Sequence, residues 1–244
     1  MSISKRLKQL LALITHPLSI ASKYDTPWDN VIFGEVRDMY DNNKIKHLMF
    51  EDLLDRLELK KPREDIALEH LYEGHRTSGT ISPLELHVIG TLCNILKPRN
   101  ILEIGTFEGR TTLNMSLVSP ESTVHTICIP QEQCGFVVGK YFKERPEASN
   151  INQIFENSQT FDFSALPPMD LIFVDGDHSY EGVVKDSDSA FNIVSDNGVI
   201  LFHDFDTCHL GNTKAVLDAV TRFGYEYCNI EGTSLAIAYN RKVN

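Results

Sequence analysis

The strongest constraint on the fold is a series of short apolar runs, ILEI at 101–104, VHTICI at 124–129, LIFVD at 171–175 and VILFH at 199–203, separated by segments of helical length. Strand-length runs alternating with helices call for a mainly parallel sheet covered on both faces, a doubly wound α/β fold. The first helix is expected at Ser82-Pro83-Leu84-Glu85, where Ser at the N-cap, Pro at N1 and Glu at N3 form a capping box. Leu86, Ile89, Leu92, Cys93 and Leu96 then share one face until Lys97-Pro98 ends it. Further helices are expected after Gly109, around Gly135 to Phe142, and along Val183, Val184, Ser187, Ala190, Phe191 and Val194. A short strand is expected near Ile151 to Phe155, and a turn at Asn197-Gly198 leading into the last run. Ligands of such sheets bind beyond the carboxyl ends of the strands, so the residues after each run are the candidates for chemistry.

At 244 residues there is room for one α/β domain and a short accessory region. With 42% hydrophobic and 23% charged residues, disorder and fibrous repeats are excluded. The net charge of −11 argues against nucleic acid, whose binding draws on clustered Lys and Arg. The five cysteines are scattered without a C-x-x-C pair, which predicts reduced thiols and a cytoplasmic location. The apolar run LLALI at Leu10 to Ile14 is too short for a membrane span or an export signal, so no transmembrane segment is expected.

The charge is uneven along the chain. Met1 to Tyr24 carries Lys5, Arg6, Lys8 and Lys23 and no acid, and Ile3, Leu7, Leu10, Leu11 and Ile14 share one face at helical spacing. A basic amphipathic helix is expected, packed on its own domain or on a second subunit of a homo-oligomer. Peripheral contact with an anionic membrane surface is the alternative. Trp28 to about Arg76 is helical in character without catalytic spacing, so residues 1–78 are assigned to a helical accessory region for capping or dimerisation, and residues 79–244 to the main domain.

Two strings carry the chemistry. In ILEIGTFEGRTT, Glu103 stands in a strand, the turn Gly105-Thr106-Phe107-Glu108-Gly109 follows, and Thr111 opens a helix. Glycines let backbone pass close to a ligand, and the G-x-x-x-G spacing differs from the G-x-G-x-x-G of dinucleotide binders. In DLIFVDGDHSYEGV, followed later by VILFHDFD, Asp175, Asp177 and His178 end one strand and His203, Asp204 and Asp206 end another. Carboxylates from neighbouring strand ends suit a hard divalent cation.

These strings resemble the class I S-adenosylmethionine-dependent methyltransferases, especially the metal-dependent O-methyltransferases of the catechol and caffeoyl-CoA type and a bacterial group, the family-24 methyltransferase domains, that includes sugar, macrolide and cephamycin-pathway enzymes. The resemblance covers about two thirds of the chain, residues 79–238, and implies a Rossmann-like domain. It implies that Glu103, the Gly105 to Gly109 turn and Thr111 hold the aminoacyl part of S-adenosylmethionine, with Asp175 nearby, and that Ser158 and Gln159 face the adenine. The group carries an acid at the end of the second strand for the ribose hydroxyls. Cys128 stands there in this chain, so Gln131 or Glu132 is the expected substitute.

The resemblance also makes Asp175 and Asp204 metal ligands. The third ligand of the catechol type, an Asn, is Phe205 here, leaving His203 or Asp206 to replace it. Mg²⁺ fits best, with Mn²⁺ or Fe²⁺ as alternatives, and a His ligand shifts preference toward Mn²⁺, Fe²⁺ or Zn²⁺. His178 occupies the place of a basic Lys, and an unperturbed pKa of about 6.5 suits a general base. The expected activity is methylation of a hydroxyl on a small molecule, such as a sugar or polyketide. The rival readings are a binding or regulatory module of the same fold that has lost turnover, and a nicotinamide-dependent oxidoreductase.

Overall fold

The computed structural model describes residues 34–60, 66–71 and 80–240. The amphipathic helix expected near the start of the chain lies outside the described residues. An eight-stranded sheet runs through the molecule in the order β1-β7-β8-β6-β5-β2-β3-β4. Its strands are β1 (His47–Leu48), β2 (Asn100–Ile104), β3 (Thr123–Cys128), β4 (Ile151–Phe155), β5 (Met169–Val174), β6 (Val194–Phe202), β7 (Glu226–Ile230) and β8 (Ala236–Tyr239). All neighbours are parallel except β8, which runs antiparallel between β6 and β7. The fold is thus the doubly wound, Rossmann-like α/β class expected from the strand–helix alternation.

The helices are α1 (Gly34–Asp41), α2 (Phe50–Arg56), α3 (Pro83–Leu96), α4 (Arg110–Val118), α5 (Tyr180–Ile193) and α6 (Leu210–Phe223). The strands are apolar on both sides because each face is covered. Leu102, Ile104, Ile172, Val174 and Phe202 join Phe191 of α5 and Val216 of α6 in one core. Their neighbours Ile101, Leu171, Phe173 and Leu201 join Leu86, Ile89 and Leu92 of α3 in the other, as the two-residue period of a strand requires. The capping box at the head of α3 forms as expected, with Ser82 N–H on Glu85 Oε2 at 2.7 Å and Glu85 N–H on Ser82 Oγ at 3.3 Å.

One expectation differs from the structure. No helix forms over Gly135 to Phe142. Gly139 sits at φ +70°, and the segment is a turn whose Gly139 N–H donates to Phe107 O at 2.9 Å. Along β6, Met169 of β5 pairs with Val194 and Leu171 with Val199, so residues 195–198 bulge out of the ladder and Asn197-Gly198 leads into the run from Val199, as expected. β1 extends the sheet beside β7, and Leu53, Leu54 and Leu57 enter the same core as α3.

The direction of winding reverses between β2 and β5. From β2 the chain builds outward through β3 and β4, then returns to β5 and builds the other way through β6. The carboxyl ends of β2 and β5 therefore flank the crevice where doubly wound sheets bind their ligands.

Candidate active site

The turn after β2 is shaped by contact between two strand ends. Gly105 has φ +107°, and a Cβ there would stand 1.9 Å from the carbonyl oxygen of Asp175. Asp175 N–H donates to Ile104 O at 2.8 Å and Gly105 N–H to Ile127 O at 2.9 Å, so the ladder continues beyond the strands. Gly109, at φ +83°, opens α4 and packs under Phe142. Phe107 holds φ +47° and remains 47% exposed, with its ring against Phe136. A non-glycine residue held at positive φ is costly and tends to mark a functional turn.

Within this motif the side chains divide. Glu103 is buried and accepts hydrogen bonds from Thr112 and, at 2.6 Å, from Thr126. Burial pushes its pKa up to about 8, against the two hydroxyls that lower it, so the carboxyl is largely protonated at neutral pH. Thr106 Oγ1 lies 2.7 Å from Thr126 Oγ1, inside the domain, and Thr111 is buried as well. Of these side chains only Phe107 is exposed.

At the end of β3, burial and the neighbouring Cys134 thiol raise the Cys128 pKa to about 11, leaving a neutral thiol. Gln131 is engaged within its own loop. Its amide donates to Phe136 O at 2.6 Å and accepts from Val138 N–H at 2.9 Å, bracing the loop that follows. Glu132 is exposed at the same edge. After β4, Ser158 and Gln159 are half-buried, and Gln159 Nε2 donates to Asp186 Oδ1 at 2.8 Å.

The ends of β5 and β6 bring the titratable groups together. Asp175, His178 and Asp204 each offer one ligand atom, and the three atoms lie within 4.8 Å of one another. His178 Nδ1 stands 2.5 Å from Asp204 Oδ2, the imidazole side chain 28% exposed and the carboxylate 4%. Asp204 holds φ +55°. Burial opposes its charge, but His178, His203 and His209 outweigh that and keep its pKa below the usual carboxylate range. A cavity of about 10 Å³ is lined by Asp175, Asp177, His178 and His203, on the order of one water molecule or ion.

His203 lies behind this cluster. Its Nδ1 is 3.1 Å from Asp175 Oδ1 and 3.3 Å from Asp204 Oδ1, and its Nε2 is 3.6 Å from Glu85 Oε2. Burial works against its charge, yet the carboxylates prevail and raise its pKa well above the ordinary value. The group whose ligand atoms converge is Asp175, His178 and Asp204, and His203 packs behind it against both aspartates and Glu85. Asp206 is engaged elsewhere, accepting from Cys208 N–H, His209 N–H and His209 Nδ1 at 2.7–2.9 Å at the head of α6. Phe205 is fully buried.

Glu85 was legible only as a capping residue. In the fold its Oε1 also accepts from Ser234 N–H and Oγ at 2.8 Å, and its charge faces His203. No local sequence signal marks that second role.

The fold is similar to that of solved methyltransferase structures. Residues 102–205 match the family model described as a methyltransferase domain, Methyltransf_24. Among curated proteins, the uncharacterised protein R132 of Acanthamoeba polyphaga mimivirus is 26% identical over 137 residues, which is 50% of this chain and 59% of that relative. Similar solved structures include the O-methyltransferase TomG of Streptomyces achromogenes in complex with S-adenosylmethionine, at TM-score 0.54 and 20% identity over 73% of this chain and 91% of that one. An O-methyltransferase of Bacillus cereus bound to S-adenosylhomocysteine matches at 0.53 and 16% identity, covering 66% and 82%. A precorrin-6y C5,15-methyltransferase of Geobacter metallireducens matches at 0.53 and 13%, covering 67% and 92%.

Proposed function

We propose that the chain is an S-adenosylmethionine-dependent O-methyltransferase that uses a divalent cation and acts on a hydroxyl of a small molecule of sugar, polyketide or related natural-product type. The observation that carries this reading is the convergence of Asp175, His178 and Asp204 beside the crevice between β2 and β5. Oxygen and carbon methylation share this fold among the similar structures, so the preference for oxygen rests on that cluster.

The donor set fits a hard divalent cation, because two carboxylates supply oxygen ligands and leave positions for water and acceptor oxygens. Asp175 and Asp204 would hold the ion, and Phe107 with the backbone of the Gly105 to Gly109 turn would line the methyl donor, with Ser158 and Gln159 at its purine. When bound, the sulfonium donor supplies an electrophilic methyl carbon and the cation acidifies the acceptor hydroxyl. The protein mainly positions these groups. His178, with Nδ1 on Asp204, would take the released proton on Nε2. His203, charged among Glu85, Asp175 and Asp204, offsets the repulsion between the aspartates and keeps them oriented.

The test is calorimetry of the full chain against S-adenosylhomocysteine and NADH, followed by transfer of a labelled methyl group to a panel of vicinal diols with Mg²⁺ or Mn²⁺. Binding of S-adenosylhomocysteine but not NADH, with label recovered as a methyl ether, supports the reading. Binding without transfer to any oxygen acceptor favours the regulatory alternative, and binding of NADH alone overturns both.

A further inference from the structure

Asp186, on α5, is fully buried behind the Ser158-Gln159 pair. Gln159 Nε2 donates to its Oδ1 at 2.8 Å, with longer contacts of 3.4 Å to Gly182 O and Ser158 Oγ. A carboxylate only accepts, so this bond settles which end of the planar amide faces the helix. The amino end is turned to Asp186, and Oε1 is the opposite end, to which no described residue donates. The turn after β5 makes room for this arrangement, because a Cβ at Gly176 would stand 3.0 Å from Asp186 Oδ2.

A carboxylate here is costly. Burial pushes its pKa up to about 6, against the hydrogen bonds of Ser158, the Asp177 backbone and Gln159 that lower it. A neutral apolar side chain would pack without that penalty, so the charge calls for a reason beyond packing.

We propose that Asp186 is a positioning residue that locks the Gln159 amide with its carbonyl oxygen toward the crevice, so that the site selects a 6-amino purine over a 6-oxo purine in the methyl donor. The inference rests on reading Ser158 and Gln159 as the purine-facing pair. An outward acceptor pairs with the exocyclic amine of adenine and confronts the oxygen of a 6-oxo ring, where two acceptors would meet without a proton between them.

The experiment compares S-adenosylhomocysteine with S-inosylhomocysteine by calorimetry on the full chain at pH 7.5. Wild type should prefer the adenosyl compound by about tenfold or more, the worth of one hydrogen bond gained and one acceptor clash avoided. In Asp186→Asn the new amide either donates or accepts, so Gln159 is held in both orientations and the preference should fall below about threefold. A purely structural role would weaken both ligands alike and leave their ratio unchanged. If Asp186→Asn fails to fold, Gln159→Met at the half-buried position should equally erase the preference. A preference retained in either variant, or equal binding of both ligands by wild type, overturns the proposal while leaving the methyltransferase reading intact. Failure of wild type to bind S-adenosylhomocysteine overturns that reading and the proposal with it.

Discussion

His178 Nδ1 lies 2.5 Å from Asp204 Oδ2, so an imidazole on the turn between β5 and α5 is oriented by a carboxylate at the end of the adjacent strand β6. A carboxylate on one ring nitrogen sets the tautomer and leaves the other nitrogen as the proton acceptor. His178→Ala should therefore lower kcat by about 10² to 10⁴ and remove the acid limb of the wild-type pH–rate profile. Its cation affinity should stay near wild type, since in the proposed site Asp175 and Asp204 would carry the ion. Loss of the cation in this variant would make His178 a ligand instead of a base. A kcat above about a third of wild type, far over the general-base expectation, would leave it neither.

The two aspartates predict metal-linked stability. Asp175 and Asp204 each offer an oxygen within 4.8 Å of the other, in the site proposed for the cation, and a ligand that binds only the folded state raises Tm by mass action. Adding Mn²⁺ at 100 times its Kd should stabilise the protein by about 2.7 kcal/mol, read as an upward shift in calorimetry that EDTA reverses. The shift should vanish in Asp175→Asn/Asp204→Asn. No shift in wild type with any of Mg²⁺, Mn²⁺ or Fe²⁺, together with full methyl transfer in EDTA, would remove the metal from the site.

Much of this was visible in the sequence because buried parallel strands read as continuous apolar runs, and because the residues that end them are close to the chemistry they serve. Asp175, His178 and Asp204 belong to two short strings, and the sheet register alone brings them together. What was not visible depends on contacts between distant segments. The loop at 135–142 is held by Gln131 and by the backbone of Phe107 and Glu108, none of which shows as a local helix breaker. Glu85 meets Ser234 and His203 only after the sheet has formed. The G-x-x-x-G spacing pointed to close approach of a ligand, whereas Gly105 is required first by the Asp175 carbonyl.

Glu103 predicts an unusual pH dependence of stability. Its pKa is raised from 4.5 to about 8 in the folded protein, chiefly by burial. The folded state therefore holds this proton while the unfolded chain has released it, and stability is greatest below the unfolded value and lost as pH rises from 4.5 to about 8. Glu103→Gln keeps an acceptor for Thr112 and Thr126 and removes the titration. It should be close to wild type at pH 4.5 and more stable at pH 8, by at most about 4 kcal/mol. Urea melts of both proteins across this range check the sign. A wild type that gains stability relative to Glu103→Gln between pH 5 and 8 would mean that Glu103 is ionised in the fold.

Two glycines of the chain predict opposite outcomes from the same substitution. At Gly105 the backbone has φ +107° and an added Cβ would lie 1.9 Å from Asp175 O and 2.9 Å from Gly176 Cα, both backbone atoms that cannot yield alone. Gly105→Ala should therefore cost about 2–4 kcal/mol in urea denaturation, above the usual loss for a point change. Because the clash falls on Asp175, it should also abolish the cation-dependent rise in Tm. At Gly135 nothing lies within 4 Å of the added carbon and φ is not in the left-handed region. Gly135→Ala should be neutral or stabilising by up to about 1 kcal/mol through lower entropy of the unfolded chain. A Gly105→Ala protein with wild-type midpoint and wild-type cation response would show that the ends of β2 and β5 are not in this contact, and the geometry of the crevice would have to be redrawn.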